Sequence, residues 1–408
     1  MNQLRLPGPT AGGLTASPFI SAMGPRPASL HTIRFTGSGS EYFRIWIVNL
    51  LLTLVTLGLY YPWAKTRKLH YFYGNTIVIG HPLGFHGNPR QMLRGFLLVS
   101  LLMVLYGVAG RVSPAAGSVA GLILAVLWPA LLRSSLQFRL SQTSWRGLRF
   151  HFTGSLKGAY MAVLSPALIG MGVMVLSGVL LAFLPRDTSK VLMPIALTGV
   201  LLLCGLALAP YVIWRIKRYQ HAHYALGQLQ TSFKATYGNV LAIFLKTGLL
   251  TLAAATGLVL VGGLLGSVLG GGHMSTRPDP KQLLSAVSMM LPVLAGYILL
   301  TQVIVAPYFS VHLQNLVWTQ TGNRMVRFKS HLHWSDMAGL ALKNWLLIML
   351  TLGLYWPFAA VALARARLQA IVIHTRQDPD LLVGQAQQAS TNATGDLAAD
   401  LVGIDVGL

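Results

Sequence analysis

The chain has 408 residues, of which 54% are hydrophobic and only 10% are charged. Soluble domains carry about 25% charged residues, so this composition excludes a soluble fold and predicts an all-α polytopic integral membrane protein. The net charge of +22 does not predict nucleic-acid binding, because the basic residues stand at the ends of apolar runs, as the positive-inside rule requires.

Both ends of the chain are predicted to be disordered. Residues 1–30 are rich in Pro, Gly, Ser and Ala and lack the apolar core of a signal peptide. Residues 376–408 form a mildly acidic tail of low hydrophobicity. The membrane domain is therefore expected over residues 31–375. The single cysteine, Cys204, excludes a disulfide within the chain.

A nine-residue phrase near the start of the membrane domain returns near its end. Residues 56–64 read TLGLYYPWA and residues 351–359 read TLGLYWPFA. The match indicates an architecture of repeated units. A looser unit recurs five times and consists of a Phe, an apolar segment, a Pro and a basic or amide-rich stretch. The interval from each Pro to the next Phe is nearly constant, which predicts a fixed module there. Residues 75–85 and 137–152 are predicted to form short cytoplasmic β-hairpins.

The three middle units each have room for two membrane spans. The expected spans cover about residues 93–110 and 118–136, 160–184 and 191–214, and 240–269 and 283–312. Few Lys and Arg residues lie between the two spans of a unit, whereas most lie on the side of the β-hairpins. The hairpin side is therefore predicted to be cytoplasmic.

The two end units, which contain the duplicated phrase, allow two topologies. Each apolar segment can cross the membrane once, or it can form a re-entrant hairpin that turns at Thr-Leu-Gly-Leu-Tyr. The hairpin is favoured because basic residues flank both sides of each segment. The protein would then have six clear transmembrane helices, against eight if both end segments cross. Left-handed glycines and helix-starting prolines are expected in the motif, which comprises Thr56, Gly58, Tyr60, Pro62, Trp63, Thr351, Gly353, Tyr355 and Pro357.

Five polar residues in or beside the apolar segments are candidates for function. Lys246 is an ionisable group at membrane depth, although it stands close enough to the end of its span to snorkel. Asn49 and Asn344 occupy equivalent positions and either hydrogen-bond between helices or line a polar path. Glu41 and Asp336 also align, and they either stabilise the first turn of a helix or form a coupled carboxylate pair.

Metal binding, cofactors and enzymatic activity are not predicted. His331, His333 and Asp336 are the best metal-ligand candidates, but their spacing matches no metal motif. The sequence also lacks a phosphate-binding loop, a His-Glu-x-x-His motif and a Gly-x-Ser-x-Gly elbow.

Residues 56–71 join the phrase T-L-G-L-Y-x-P-W-A to a K-x-R-K-x-x-Y run, and a Phe-x-Gly follows downstream. This pattern resembles the YjgN-like family of bacterial inner-membrane proteins, and the resemblance covers about residues 31–375. It implies an integral protein of the inner membrane and implies no reaction, substrate or catalytic residue. The second copy departs from the pattern, since Ala360, Val361 and Ala362 replace the basic residues.

Two functions follow as alternatives. Transport of a small solute or ion is the first, because repeats and discontinuous helices are typical of carriers. The second is a non-transporting scaffold that binds anionic lipid headgroups or a protein partner through a basic cytoplasmic face. A water-filled cavity between the two turns favours transport, whereas a close-packed interior favours the scaffold. The predicted basic face comprises Lys65, Arg67, Lys68, Arg215, Lys217 and Arg218.

Overall fold

The computed structural model describes residues 29–183, 186–269, 280–381 and 383–384. Within these ranges, pairs of helices alternate with short strands along the chain. The helices are α1 (Gly39–Val55), α2 (Tyr61–Gly74), α3 (Pro89–Val112), α4 (Pro114–Ser141), α5 (Leu156–Ala182), α6 (Arg186–His221), α7 (Tyr237–Leu269), α8 (Pro280–Leu300), α9 (Ala306–Thr319), α10 (Trp334–Leu350) and α11 (Trp356–Gln369). A π-helical stretch, Thr301–Val305, joins α8 to α9.

The strands are short and all their pairings are antiparallel. They are β1 (Ser29–Thr32), β2 (Arg34–Phe35), β3 (Thr76–Val78), β4 (His81–Phe85), β5 (Thr143–Trp145), β6 (Leu148–Phe152), β7 (Tyr224–Leu226), β8 (Leu229–Gln230), β9 (Ser232–Phe233), β10 (Thr321–Gly322), β11 (Val326–Ser330) and β12 (Ile371–Thr375).

The strand order closes on itself. One sheet has the order β1-β12-β11-β10-β9 and the other the order β2-β3-β4-β5-β6-β7-β8. Two single residues connect the sheets, since Ile33 joins β1 to β2 and Thr231 joins β8 to β9. The two sheets therefore form one ring of strands within the described residues.

Each helical hairpin begins and ends on neighbouring strands of this ring. The hairpin of α1 and α2 lies between β2 and β3, which pair through Phe35 and Thr76. The same arrangement holds for α3 and α4 between β4 and β5, and for α5 and α6 between β6 and β7. It also holds for α7 to α9 between β9 and β10, and for α10 and α11 between β11 and β12. Both ends of these hairpins consequently lie on the strand side.

Six helical segments of the described residues are long and apolar enough to cross a membrane, which confirms the polytopic helical class. They are Pro89–Val112, Pro114–Ser141, Leu156–Val179, Ile195–His221, Tyr237–Leu264 and Leu291–Thr319. Their locations agree with the six predicted spans. Most side chains of these segments are not buried inside the protein, so their apolar surface is available to lipid.

The helices pack in chain order, and the last helix packs back on the first. Helix α2 contacts α3, α4 contacts α5, α6 contacts α7, α9 contacts α10, and α11 contacts α1. Where α11 meets α1, the rings of Phe43 and Phe358 lie 5.7 Å apart. Gly39 lies so close to Phe358 that a Cβ there would overlap the ring. The two short hairpins that carry the duplicated phrase are therefore neighbours and are closely packed at this contact.

Apolar side chains form the core of the strand ring. Trp145 and Leu148 make one buried cluster, Ile371 and Ile373 belong to another, and Val78 packs against both. The indole Nε1 of Trp145 also donates to the carbonyl of Val78 at 2.9 Å. This core connects strands that are distant in the sequence.

The predicted β-hairpins form, but they are not isolated. Strands β3 and β4 lie within residues 75–85, and β5 and β6 lie within residues 137–152. Helix α4 extends to Ser141, further than expected, because Leu136 packs into a buried cluster with Phe152. An all-α description is incomplete, since strands of successive hairpins pair with one another.

Parts of the two predicted end segments are described. Leu30 belongs to β1 and pairs with His374 of β12. The backbone N–H of Arg376 donates to the carbonyl of Met325 at 3.0 Å, and Val383 is buried in the core of the strand ring. The remainder of the segments 1–30 and 376–408 lies outside the described residues.

Candidate functional site

The two Thr-Leu-Gly-Leu-Tyr segments form matching turns between antiparallel helices. In the first, the N–H of Gly58 donates to the carbonyl of Thr53 at 2.8 Å, and in the second Gly353 donates to Ile348 at 2.8 Å. The φ angles of the two glycines are +92° and +94°. Hydrogen bonds that reach back five residues, with left-handed backbone at the helix end, are characteristic of glycine-terminated helices. Both glycines therefore have the left-handed backbone that was expected of them.

The threonine of each phrase caps its turn. The hydroxyl of Thr56 accepts a hydrogen bond from the N–H of Tyr60 at 3.0 Å, and Thr351 accepts from Tyr355 at the same distance. Each threonine hydroxyl also donates to a carbonyl one helical turn earlier. The phrase therefore satisfies backbone groups that the helix ends leave without a partner.

The remaining motif positions start the second helix of each hairpin. Pro62 and Pro357 are buried in the first turns of α2 and α11, where a missing N–H costs nothing. Tyr60 stacks on Trp63 with ring centroids 6.0 Å apart. In the second copy, Phe358 replaces the tryptophan and stacks on Tyr355 at 5.4 Å.

Leucines form the tips of the two turns. Leu57 and Leu352 have φ angles of +51° and +49°, a left-handed conformation that costs a non-glycine residue about 1–2 kcal/mol. Both side chains are 95% exposed. The same left-handed, exposed leucine therefore stands at the tip of both copies.

Asn49 and Asn344 are buried on the first helix of each short hairpin. The Nδ2 of Asn49 donates to the carbonyl of Ala64 in α2 at 3.4 Å, which links the two helices. The Oδ1 atoms of both asparagines are buried and have no hydrogen-bond partner among the described residues. An unpaired buried acceptor costs about 1–3 kcal/mol, so each oxygen is available to a donor from outside the chain.

Glu41 and Asp336 stand in the first turns of α1 and α10. Helix α11 packs against both α1 and α10, the helices that carry the two carboxylates. The hydroxyl of Tyr71 lies 3.1 Å from Oε2 of Glu41 and donates to the carbonyl of Ser38 at 2.7 Å. Burial raises the pKa of Tyr71, and the nearby Glu41 carboxylate acts in the same direction.

Lys246 is exposed and lies at a groove between α7, α9 and α10. The groove has a volume of about 380 Å³ and is also lined by Leu249, Leu250, Tyr308 and Trp334. The lysine thus combines an apolar stem environment with neighbouring interfacial aromatic residues. This geometry fits snorkelling, in which the apolar stem of the lysine lies along the groove and its amine reaches the membrane surface. Snorkelling is the alternative to a functional role for Lys246 within the membrane.

The three basic residues of α2 are exposed, and their charged groups lie over aromatic rings. The pairs, with distances from the charged group to the ring centroid, are Lys65 with Tyr61 (5.9 Å), Arg67 with Tyr60 (5.7 Å) and Lys68 with Phe72 (6.0 Å). Among the described residues, no carboxylate lies within salt-bridge distance of these charges. They remain free to bind an anion.

The second predicted basic group, on α6, is divided between structure and surface. Arg215 donates through Nη2 to the carbonyl of Met161 on α5 at 2.6 Å, and its Nε is buried without a partner among the described residues. Lys217 is half-buried. Arg218 is exposed, and its guanidinium lies 5.3 Å from the ring of Trp214. Only Arg218 of this group resembles the α2 residues in its surroundings.

Residues 30–401 match DUF898, a family described as bacterial protein of unknown function. The chain belongs to this family. It is 33% identical to the inner membrane protein YjgN of Salmonella typhimurium over 132 residues, which cover 32% of this chain and 33% of the relative. It is 32% identical to the inner membrane protein YjgN of Escherichia coli K12 over 163 residues, 39% of this chain and 41% of the relative. No solved structure matches the chain.

The matches cover a third to two fifths of the length of these curated relatives. They confirm the predicted resemblance to the YjgN-like family. Together with the six apolar helices, they identify this DUF898 protein as a multi-pass protein of the bacterial inner membrane, so the lipid bilayer is its environment.

No group of three His, Cys, Asp or Glu side chains in the described part of this DUF898 protein could hold a metal ion. His331, His333 and Asp336 therefore do not form such a group.

A cluster of basic side chains was not predicted from the sequence: five of them surround a cleft on β11 and β12. The local signal was the alternation of Arg327 and Lys329 along a strand.

Proposed function

We propose that this DUF898 protein is a non-enzymatic scaffold of the inner membrane that binds anionic lipid headgroups through a basic cytoplasmic face. The observation that carries the proposal is the set of three exposed basic residues on α2. Lys65, Arg67 and Lys68 lie over aromatic rings and have no carboxylate partner among the described residues. Exposed cations beside aromatic rings are suited to the headgroup region of a membrane.

The positions of these residues support a lipid ligand over a soluble partner. Helix α2 runs from the turn at its start to the strand ring at its end, and its basic residues lie in the first half and middle of the helix, from which long side chains can extend towards the strand side. The positive-inside rule favours that side as cytoplasmic. The cytoplasmic leaflet is anionic and attracts each adjacent Lys or Arg by about 1 kcal/mol. Three such residues would therefore contribute about 3 kcal/mol, roughly a hundredfold in affinity.

A charge-neutralised variant tests the lipid-binding function. The triple substitution Lys65→Gln, Arg67→Gln and Lys68→Gln is compared with the charge-preserving triple Lys65→Arg, Arg67→Lys and Lys68→Arg. Thermal unfolding is measured in nanodiscs of phosphatidylcholine with and without phosphatidylglycerol. We expect phosphatidylglycerol to stabilise the wild type and the charge-preserving variant, and to lose this effect in the neutral variant. Equal stabilisation of all three proteins would contradict the proposal.

We further infer that the two short hairpins enter the membrane from the cytoplasmic side and return to it. Their ends attach to paired strands, which supports a return to the same side. Helix α1 has 17 residues, or about 26 Å, which is less than the roughly 30 Å of a hydrocarbon core. The exposed Leu57 and Leu352 at the tips also suit a lipid environment.

Cysteine labelling tests this topology. Cysteines are introduced at Tyr60 and Arg367, each in a background that carries Cys204→Ser. We expect the cysteine at Arg367 to react with a membrane-impermeant reagent only from the cytoplasmic side. Labelling of that position only from outside would contradict the re-entrant hairpin and favour a single crossing.

Transport of a small solute or ion is the second proposal, and the two orphaned amide oxygens support it. The buried Oδ1 atoms of Asn49 and Asn344 have no donor among the described residues, as expected of groups that meet a ligand. The test is flux of K⁺, Na⁺ and glycerol into proteoliposomes, with Asn49→Leu and Asn344→Leu as the paired variant. Flux that the variant loses supports transport. Equal permeability of the wild-type, variant and protein-free liposomes counts against it for these probes.

A further inference from the structure

A cleft on the five-stranded sheet gathers five basic side chains from parts of the chain that are far apart in sequence. Its volume is about 340 Å³. The residues that line it are Thr319, Arg324, Met325, Arg327, Phe328, Lys329, His374 and Arg376. None of these lining residues is an Asp or a Glu.

Strand register places three of the basic side chains on one face. Arg327 of β11 is directly opposite His374 of β12, so their side chains share a face. Lys329 lies two residues further along β11 and points to the same side. The intervening Phe328 packs against the apolar cluster that includes Ile373. The sheet therefore presents an apolar side to its core and a basic side to the cleft.

The turn at the far end of the strands is held by hydrogen bonds. The Oδ1 of Asn323 accepts from the N–H groups of Met325 at 2.9 Å and Val326 at 2.7 Å. The N–H of Arg376 donates to the carbonyl of Met325 at 3.0 Å. These contacts hold the backbone of Arg376 against that of Met325, the neighbour of Arg324, and so fix the chain segments that carry both arginines.

The acidic residues that follow Arg376 point to other partners. The carboxylate of Asp378 accepts from the backbone N–H of Asp380 at 3.0 Å. Asp380 forms a salt bridge with Arg146 at the turn between β5 and β6. Like charges on neighbouring strands destabilise a sheet, so a basic cleft without a carboxylate carries an energetic cost. A bound anion would remove that cost.

We propose that this cleft binds the phosphate group of an anionic ligand. Arginine forks match phosphate oxygens in a bidentate manner, while lysine and histidine add point charges. The cleft lies on the strand side of the protein, where Thr319 at the end of α9 also lines it. This position favours a soluble phosphate compound, whereas a lipid headgroup presents the same chemistry from the membrane side. The site is separate from the basic residues of α2.

The test measures binding of inorganic tripolyphosphate to the full-length protein in phosphatidylcholine nanodiscs by calorimetry. The double variant is Arg327→Gln with Arg376→Gln. The control is Arg149→Gln, which removes an exposed arginine on β6 that does not line the cleft. We expect the double variant to bind at least about tenfold more weakly and the control to bind like the wild type. Thermal unfolding without ligand verifies that both variants are folded.

A second arm separates the two sources of phosphate. The same proteins are placed in nanodiscs that contain phosphatidylglycerol, and lipid-dependent stabilisation is measured. Variant-dependent binding of tripolyphosphate identifies a soluble ligand, and a variant-dependent effect of phosphatidylglycerol alone identifies a headgroup. If the double variant matches the Arg149 control in both arms, the proposal is wrong. The α2 triple variant should retain tripolyphosphate binding, so failure of this site is distinguishable from failure of the lipid-binding function.

Discussion

The turn between α10 and α11 requires left-handed backbone at Gly353, where φ is +94°. A Cβ added at this position would meet no atom within 4 Å, so a Gly353→Ala substitution tests the backbone conformation alone. Left-handed conformation costs a non-glycine residue about 1–2 kcal/mol. Alanine also lowers the conformational entropy of the unfolded chain, which stabilises the folded protein by about 0.4–1 kcal/mol. We therefore expect a net loss of about 1 kcal/mol in the free energy of unfolding.

Gly339 provides a matched control in the same hairpin. It lies within α10, and a Cβ there would also meet nothing within 4 Å. Because its backbone is helical, Gly339→Ala should stabilise the protein by about 1 kcal/mol. The two substitutions add the same methyl group to the same hairpin, and their free energies should differ by about 2 kcal/mol.

The assay is reversible unfolding by sodium dodecyl sulfate in mixed micelles, followed by tryptophan fluorescence. Both variants are measured with the wild type under the same lipid and detergent ratio. The reasoning would be refuted if Gly353→Ala were as stable as Gly339→Ala. That result would mean that the turn tolerates an alanine or does not form as described.

Three other substitutions have expected outcomes. Trp145→Phe removes the hydrogen bond from the indole N–H to the Val78 carbonyl and should lower the unfolding free energy by about 1 kcal/mol in the same detergent titration. An unchanged unfolding free energy would show that this hydrogen bond does not stabilise the protein. Asp380→Asn should weaken the salt bridge to Arg146 and lower the unfolding free energy by less than about 1 kcal/mol. It should also speed proteolysis near residue 380, and an unchanged cleavage rate would show that the salt bridge does not hold this part of the chain in place. Leu57→Gly should relieve the left-handed strain and raise stability in detergent by about 1 kcal/mol while weakening insertion of the tip, as measured by quenching from brominated lipid. Unchanged quenching would indicate that the tip does not reach the lipid chains.

Local chemistry made the turns predictable from the sequence. Gly58 and Gly353 were identified as helix terminators because glycine adopts left-handed backbone easily and a proline follows within one helical turn. The six spans were predictable because apolar length is a direct requirement of the bilayer. Both signals act over a few residues or one continuous segment, so a single sequence contains them.

The ring of strands was not predictable, because its closure depends on distant pairs. Leu30 pairs with His374, and Phe35 pairs with Thr76 only three residues after β1 ends. Strands this short carry a weak sequence signal, and their partners are specified by packing around Val78. The basic cleft was missed for the same reason: Arg376 had been assigned to a disordered tail, whereas pairing of β12 with β11 brings it beside Arg324.

The two copies of the duplicated phrase have diverged in the use of their basic residues. The first copy keeps exposed charges on α2, including Lys65 and Arg67, over aromatic rings. In the second copy, Arg365 donates instead to the carbonyl of Gly37, just before α1, at 2.7 Å. An arginine bound to a backbone carbonyl fixes one hairpin to the other, and it has fewer N–H groups left for a headgroup. Of the residues that replace the basic run in the second copy, Val361 is buried with Tyr42 of α1 and Ala360 packs against the same cluster, so this part of α11 serves the contact with α1.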